Sequence, residues 1–459
     1  MRGQSRSRLR LAILAPFLGV LLPLSGSLRA QEARVLSLGE ALERASRHNP
    51  DYRMAQNDLE LSQVGRREAW GAFLPDLNLQ ASTGLSFDRQ LVSRDNFGNP
   101  IENPFTEWRT SSSASQYLGG SISLFEGGSR FHELALQGAR AQAREATVAS
   151  RLRTVRSEVV GTYYQAQSQQ ALLAVEDELL EGRQVDLELT RRMFDLAGAS
   201  RVEVLAAELN VQRQEQRIQQ IRAQLQQSLL TLRRVVGDSE LEGFRLDDAL
   251  PTPFEPSSLN ADDLVAQALA SNPLVLEQEA QLLVGDAQAR AARGSRWPSL
   301  SLSFGFNQRT FAEEKEALFD VFPDQGRFGS TSLSVSLPLF SRFQTQARVA
   351  EAEVGISNAR ENLRKTQLQI EEQVRSRLIA LQTAYQSYLI ALRSQEIAQE
   401  RVRLAREQYR LGSRDFTALQ QDTEAAAQAE RDVITQLFGF MDAHANLEEV
   451  VGELPPREG

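Results

Sequence analysis

From Leu300 to Phe306 the chain alternates strictly, with Leu300, Leu302, Phe304 and Phe306 on one side and Ser301, Ser303 and Gly305 on the other. A period of two predicts a strand with one apolar and one small, polar face. The pattern recurs upstream, where Leu77, Leu79, Ala81, Thr83, Leu85 and Phe87 alternate with Asp76, Asn78, Gln80, Ser82, Gly84 and Ser86. Elsewhere the period changes to three and four. Val148, Leu152, Val155, Val159, Tyr163, Ala166, Leu173 and Leu180 form one stripe, and Ile370, Val374, Leu378, Leu381, Tyr385, Tyr388 and Leu392 form another. These are narrow seams of the coiled-coil kind on otherwise polar helices. No proline occurs from Glu126 to Leu250 or from Leu339 to Leu454, so two very long helices are possible in each stretch.

The patterns are one unit used twice. HNPDYRMAQ from His48 pairs with SNPLVLEQE from Ser271, and Pro75 pairs with Pro298, both at an offset of 223 residues. Ser37 with Glu40 and Asn260 with Asp263 are helix-start signals at the same offset. Leu118, Ile122 and Leu124 match Leu333, Leu337 and Leu339 at 215, and LAGASRVEVL matches RLGSRDFTAL at 214, aligning Gly198 with Gly412 and Leu205 with Leu419. Asn49 and Asn272 are N-caps followed by proline at the first helical position. Each unit therefore reads helix, strand, strand, long helix, helix. The first repeat is expected over 31–250, with strands at about 76–87 and 116–125 and helices at about 129–196 and 200–236. The second is expected over 251–454, with strands at about 299–308 and 331–340 and helices at about 342–411 and 415–450, leaving 455–459 as a tail. A helix of about 68 residues is roughly 100 Å long, and helices 49–73 and 200–236 stacked end to end come to roughly 93 Å. Stacking of the two short helices beside the long one predicts a uniform layer of rods.

Composition adds compartment and partners. The first thirty residues carry Arg2, Arg6, Arg8 and Arg10 before an apolar run from Leu11 to Leu24, then SGSLRA, which predicts a signal peptide cleaved after Ala30. Cleavage takes the formal charge from −9 to −14, which argues against nucleic acid as a partner. With no cysteine, the chain has neither disulfides nor a cysteine-linked lipid. In an exported chain, strands of about ten residues with alternating faces and longer loops on one side carry the pattern of outer-membrane barrel strands. A soluble sheet packed on helices has the same alternation. The Ser, Gly, Asn and Gln faces favour the barrel, because they suit a water-filled lumen. Four strands cannot close a barrel, and unpaired backbone in lipid costs several kcal/mol per group. Two chains would supply eight strands around a nearly filled interior, and three would supply twelve around a wet lumen. Self-association is therefore expected.

The ordered set of NPDYRMAQ and NPLVLEQE before helices, LP and WP before strands, SLFEGG and PLFSRF after them, and FDLAGASRVEVL and YRLGSRDFTAL at the helix turns resembles the TolC-like outer membrane efflux protein family from about Ser37 to Val450. The resemblance implies a mainly α fold with transmembrane β-strands, four per chain, completing a trimeric 12-stranded β-barrel on a long α-helical coiled-coil tunnel. It implies a passive exit duct for efflux or type I secretion, a periplasmic adaptor protein, and an inner-membrane transporter of RND or ABC type that supplies the energy. The turns at Gly198 and Gly412, with Leu205 and Leu419 expected on exposed surfaces beyond them, would be the adaptor-docking tips. Tyr409 and Arg414 match positions that in some members close the periplasmic gate by polar links between neighbouring helices. Some members also place aspartates where this chain has Ala418 and Gln421, leaving Asp415 and Asp422 as the nearby acids. His48, His132 and His444 are isolated, with no zinc-ligand spacing, and are expected at the surface. No phosphate loop or hydrolase motif occurs, so no cofactor or catalytic activity is expected. The alternative class is a non-transporting periplasmic coiled-coil scaffold.

Overall fold

The computed structural model describes residues 34–89, 92–102, 108–196, 198–241, 243–313 and 326–452. The expected signal peptide, the tail at 455–459 and parts of both inter-strand loops lie outside the described residues.

Two long helices dominate: α3 (Ser129–Asp195) and α7 (Gln344–Arg410), each of 67 residues and so about 100 Å long. Each turns back into a helix of 36 residues, α4 (Arg201–Val236) and α8 (Phe416–Val451). Each is also flanked by a 22-residue helix, α2 (Pro50–Gly71) beside α3 and α6 (Pro273–Gly294) beside α7. Short helices α1 (Leu38–His48) and α5 (Ala261–Ser271) start at caps made by the Ser37 and Asn260 side chains.

The short helices are spliced end to end by one residue type. Asn49 Oδ1 accepts from Tyr52 N at 3.1 Å to start α2, while its Nδ2 donates 2.7 Å to the Val235 carbonyl in the last turn of α4. Asn272 repeats this between Leu274 N (2.9 Å) and the Val450 carbonyl (2.9 Å) of α8. Asparagine is needed because the same side chain must accept at one helix start and donate at the other helix end. Gly237 follows α4 with φ 75°, and a Cβ there would lie 2.8 Å from the His48 carbonyl, so only glycine lets the ends meet.

Around each splice sits a core built from the stripe residues. Val155, Val159, Tyr163 and Ala166 pack with Ala41, Ala45, Leu232 and Val236. Ile370, Val374, Leu378 and Leu381 pack with Leu264, Ala268, Leu447 and Val451. Each fully buried Val or Leu contributes about 1.5–3 kcal/mol. In the first core β1 (Arg34–Leu36) pairs in parallel with β6 (Phe244–Leu246), and the Tyr163 hydroxyl donates to the Leu36 carbonyl at 3.0 Å. Neither of these short strands is signalled by the hydrophobic pattern. His48 is exposed and His132 half-buried, but His444 packs edge-on against Phe254 and pairs with Glu448, so the expectation that it lies at the surface is corrected.

The other end of the molecule is an antiparallel sheet in the order β2 (Asp76–Asp88), β5 (Arg109–Glu126), β7 (Ser299–Glu313), β8 (Gly326–Ser336). β5 and β7 extend into the expected loops, which also hold the small hairpin of β3 (Val92–Arg94) and β4 (Pro100–Glu102). β8 stops at Ser336 rather than Phe340, since Pro338 has no N–H for a ladder. Opposed residues of an antiparallel pair share a face. One face therefore carries rows such as Leu77, Gly120, Phe304 with Thr331, and Ile122, Leu302 with Leu333. The reverse face carries Ser303 bonded to Ser332, and Ser82 to Ser115, at 2.8 Å each. The small, polar character of that face is incomplete. Tyr117, Phe311 and Phe328 also lie on it, and a Cβ on Gly119 would come within 2.3 Å of the Tyr117 hydroxyl, so the glycines on either side of this ring make room for it. Within the chain, β2 and β8 each keep one unpaired edge. Among the described residues no helix is long and apolar enough to cross a membrane.

Candidate functional site at the hairpin tips

The hairpins α3–α4 and α7–α8 end together, α3 packing against both α4 and α8. At the second tip Gly412 sits at φ 69°, and Ser413 N bonds the Gln408 carbonyl at 3.0 Å. At the first tip that five-residue return bond runs from Gly198 N to the Met193 carbonyl at 2.8 Å. Gly198 thus corresponds to Ser413, not to Gly412. The next helices start on Ser200, in a capping box with Glu203, and on Asp415, whose carboxylate accepts from Ala418 N at 2.7 Å. Helix ends and caps agree at an offset of 215, not 214.

That single residue changes the reading of the tips. A one-residue shift turns a helical side chain by about 100°. Leu419 corresponds to Val204, and both are 2% exposed; Leu205 corresponds to Gln420 and is 49% exposed. Leu419 is thus a core residue, packed with Ala207, Ala405, Tyr409 and Phe416, and its expected place on an exposed docking surface is corrected. Leu205 does lie at the surface, in the company of Phe194, Leu196, Val202 and Leu209.

The expected gate residues turn inward. Tyr409 is buried against Phe416, ring centroids 6.0 Å apart, and its hydroxyl makes no hydrogen bond. Burial raises its pKa; Thr190 and Glu203 lie near enough to influence its titration but not to bond it. Arg414 binds Asp422 and, at 3.2 Å, Gln408 Oε1, all in its own hairpin. Asp422 is buried and is held by Arg401 as well as Arg414. With two guanidiniums on one carboxylate, Asp422 offers no free negative charge, and Asp415 is occupied as a cap. Both acids are thus partnered within their own hairpin.

Ties between the hairpins come from residues the motif reading passed over. The Arg406 guanidinium on α7 binds both carboxylate oxygens of Asp186 on α3, at 2.9 and 3.3 Å. Arg183 on α3 reaches Glu424 on α8 at 2.6 Å. Deeper, Arg431 donates to both oxygens of Glu176, at 2.8 and 3.3 Å, and Gln214 and Arg217 of α4 complete the cluster at 2.7 and 2.9 Å. Burial alone would raise the Glu176 pKa, but the bonds from Arg431 and Gln214 and the two arginine charges hold it below the usual carboxylate range. The signal was in the stripe itself. Continuing Leu173 and Leu180 by threes and fours passes through Glu176, Arg183, Asp186 and Thr190, polar residues at seam positions, and all four are buried. Among the described residues no group of acidic residues and histidines could hold a metal ion.

An open four-stranded sheet carried on 100 Å helical hairpins defines an outer-membrane tunnel fold. The chain belongs to the outer membrane efflux protein family, which matches residues 41–238 and 264–453. It is 28% identical over 335 residues to Protein CyaE of Bordetella pertussis, a match spanning 70% of this chain and 64% of that protein. It is 23% identical over 379 residues to Nodulation protein T of Rhizobium leguminosarum bv. trifolii, covering 81% and 76% of the two chains. Its fold matches that of CusC, studied for its folding and transmembrane channel formation, with a TM-score of 0.73 and 18% identity over 90% of this chain and 92% of that one.

Proposed function

We propose that three copies of this chain close a 12-stranded barrel in the outer membrane and continue it as a helical tunnel, giving a passive exit duct for efflux or secretion. The observation that carries this reading is the sheet with one unpaired edge on β2 and another on β8. In lipid such edges are costly unless copies pair them, and twelve strands leave a water-filled lumen. The apolar face would meet lipid and the serine ladders the lumen. A scaffold without a membrane role does not account for Leu77, Leu79, Leu333 and Val335, which stand exposed on the edge strands.

Energy would come from an inner-membrane transporter of RND or ABC type, reached through a periplasmic adaptor. The apolar surface of Phe194, Leu196, Val202, Leu205 and Leu209 makes the first hairpin the better docking site. The second hairpin, linked to the first through Arg406 and Asp186, would hold the entrance closed. The test is a pair of substitutions on β7. Leu302→Arg on the lipid face should destabilise insertion by about 2–4 kcal/mol, while Ser301→Arg in the lumen should leave heat-modifiable trimers intact and lower single-channel conductance. Equal losses of trimer in both variants would overturn the barrel reading.

A further inference from the structure

The serine face of the sheet changes character along its length. Rows of small groups, such as Ser121, Ser303 with Ser332 and Gly119, Gly305 with Ser330, give way to a row of Tyr117, Asn307 and Phe328, and Phe311 follows two rows on. Phe311 and Phe328 are 60% and 64% exposed, so burial in the chain does not explain them. Pairing of β8 with another copy would occupy its edge and leave this face open. The Tyr117 ring lies flat on the sheet: a Cβ on Gly119 or Gly305 would come within 2.3 or 2.8 Å of it, so the ring covers both glycines and keeps its outer face free. Exposed rings on a wall otherwise suited to water mark a surface that takes a ligand.

A cation completes the patch. Arg309 stands in the row between, its guanidinium carbon 5.4 Å from the centre of the Phe311 ring. Its neighbours on this face are Ser115 beside it, Tyr117, Asn307 and Phe328 in the row before, and Ser113 with Phe311 in the row after; none is acidic. The next acid along β7, Glu313, lies four residues on, about 13 Å of strand. Among the described residues Arg309 has no ion pair. A guanidinium held against a ring with no carboxylate of its own presents paired N–H donors that suit a ligand carboxylate. The ring faces alone would also attract organic cations, but Arg309 repels them.

We propose that this patch is a binding site for small aromatic carboxylates passing through the lumen: the ligand ring stacks on Tyr117 and Phe328, and its carboxylate pairs with Arg309, which Phe311 holds in place. The site rests on the outer-membrane barrel reading, which turns this face to the lumen. It is tested by saturation-transfer NMR of benzoate on detergent-solubilised trimers at neutral pH, with cyclohexanecarboxylate as a probe of the same charge and similar size but no aromatic face. Benzoate should bind the wild type more tightly than cyclohexanecarboxylate does. Arg309→Gln should weaken benzoate binding about tenfold and Phe328→Leu about threefold, both with heat-modifiable trimers retained. Should Arg309→Gln not assemble, Arg309→Lys, which keeps the charge and loses the paired donors, should weaken binding in the same direction. Assembled arginine variants that hold benzoate as well as the wild type, or equal binding of the two probes, would overturn the site. Tighter binding of benzylammonium than of benzoate would also overturn it and give the rings to cations. A wild-type protein that forms no heat-modifiable, conducting trimers would instead overturn the barrel reading beneath it.

Discussion

The two hairpins have the same helix lengths and the same return bond at the turn, and yet opposite tips. The first exposes Phe194, Leu196, Val202, Leu205 and Leu209 and carries no acid where the second has Asp422, because Ala207 stands there. The second buries Tyr409 where the first has exposed Phe194, and closes on itself through Arg401, Asp422 and Arg414. A duplicated backbone has thus been given two surfaces, one suited to a partner and one to internal restraint. Buried charges and the apolar clusters around Leu419 and Phe438, not the turn motifs, connect the hairpins.

The largest effects start with breaking that connection. Glu176→Ala leaves the buried Arg431 with only the longer 3.4 Å ion pair to the Glu424 carboxylate and should cost about 3 kcal/mol in denaturant unfolding. The same cluster sets a pH dependence. Because the folded pKa of Glu176 is lowered, its contribution is complete above the ordinary glutamate value of about 4.3 and is lost as pH falls through the lower folded value. Glu176→Gln should flatten that part of the stability profile; an unchanged profile would assign the acid sensitivity elsewhere.

Of the same order is the larger member of the pair that separates the two tips. Leu419→Asp places a carboxylate among Ala405, Tyr409 and Phe416 and should cost about 3 kcal/mol or more, whereas Leu205→Asp should stay within about 0.5 kcal/mol. Leu205→Asp should nonetheless abolish adaptor cross-linking, and retained cross-linking would move docking away from the first hairpin. Replacing Asn49 or Asn272 with Ala removes a helix cap and the side chain's bond to the Val235 or Val450 carbonyl, the latter keeping Arg153 Nη1 at 3.4 Å, for an expected loss of about 1–3 kcal/mol at either splice. Unequal losses would show that the repeats lean on their splices differently. The smallest effect is Arg414→Ser, about 0–1 kcal/mol, because Arg401 still neutralises Asp422. Its readout is channel conductance, and a large rise would restore Arg414 to the gate.

The helices were legible because their determinants are local. Freedom from proline, the Asn-Pro starts and the three-four stripe together mark α3 and α7, and summed lengths anticipated the stacking of α2 on α4. The tips were less legible. An alignment on matching glycines missed by one residue, since either neighbour can end a helix with a return bond, and on a helix that error exchanges Leu205 for Val204. The parallel pairing of β1 with β6 and the aromatic rings on the serine face depend on contacts far apart in sequence. Glu176 and Arg183 fall on the three-four stripe, but what buries a charge there is a partner from another helix, Arg431 for one and Glu424 for the other.

The asparagine splices also divide the wall mechanically. Of the rods each chain contributes, α3 and α7 are continuous, whereas the α4–α2 and α8–α6 rods are jointed about 54 Å above the tips, the length of 36 helical residues. Torsion applied at the tip travels up a continuous rod but meets, in a jointed one, a seam crossed by a few hydrogen bonds and no peptide bond. Each splice thus relies on the apolar core packed around it, and on the continuous α3 or α7 alongside, to pass torsion onward.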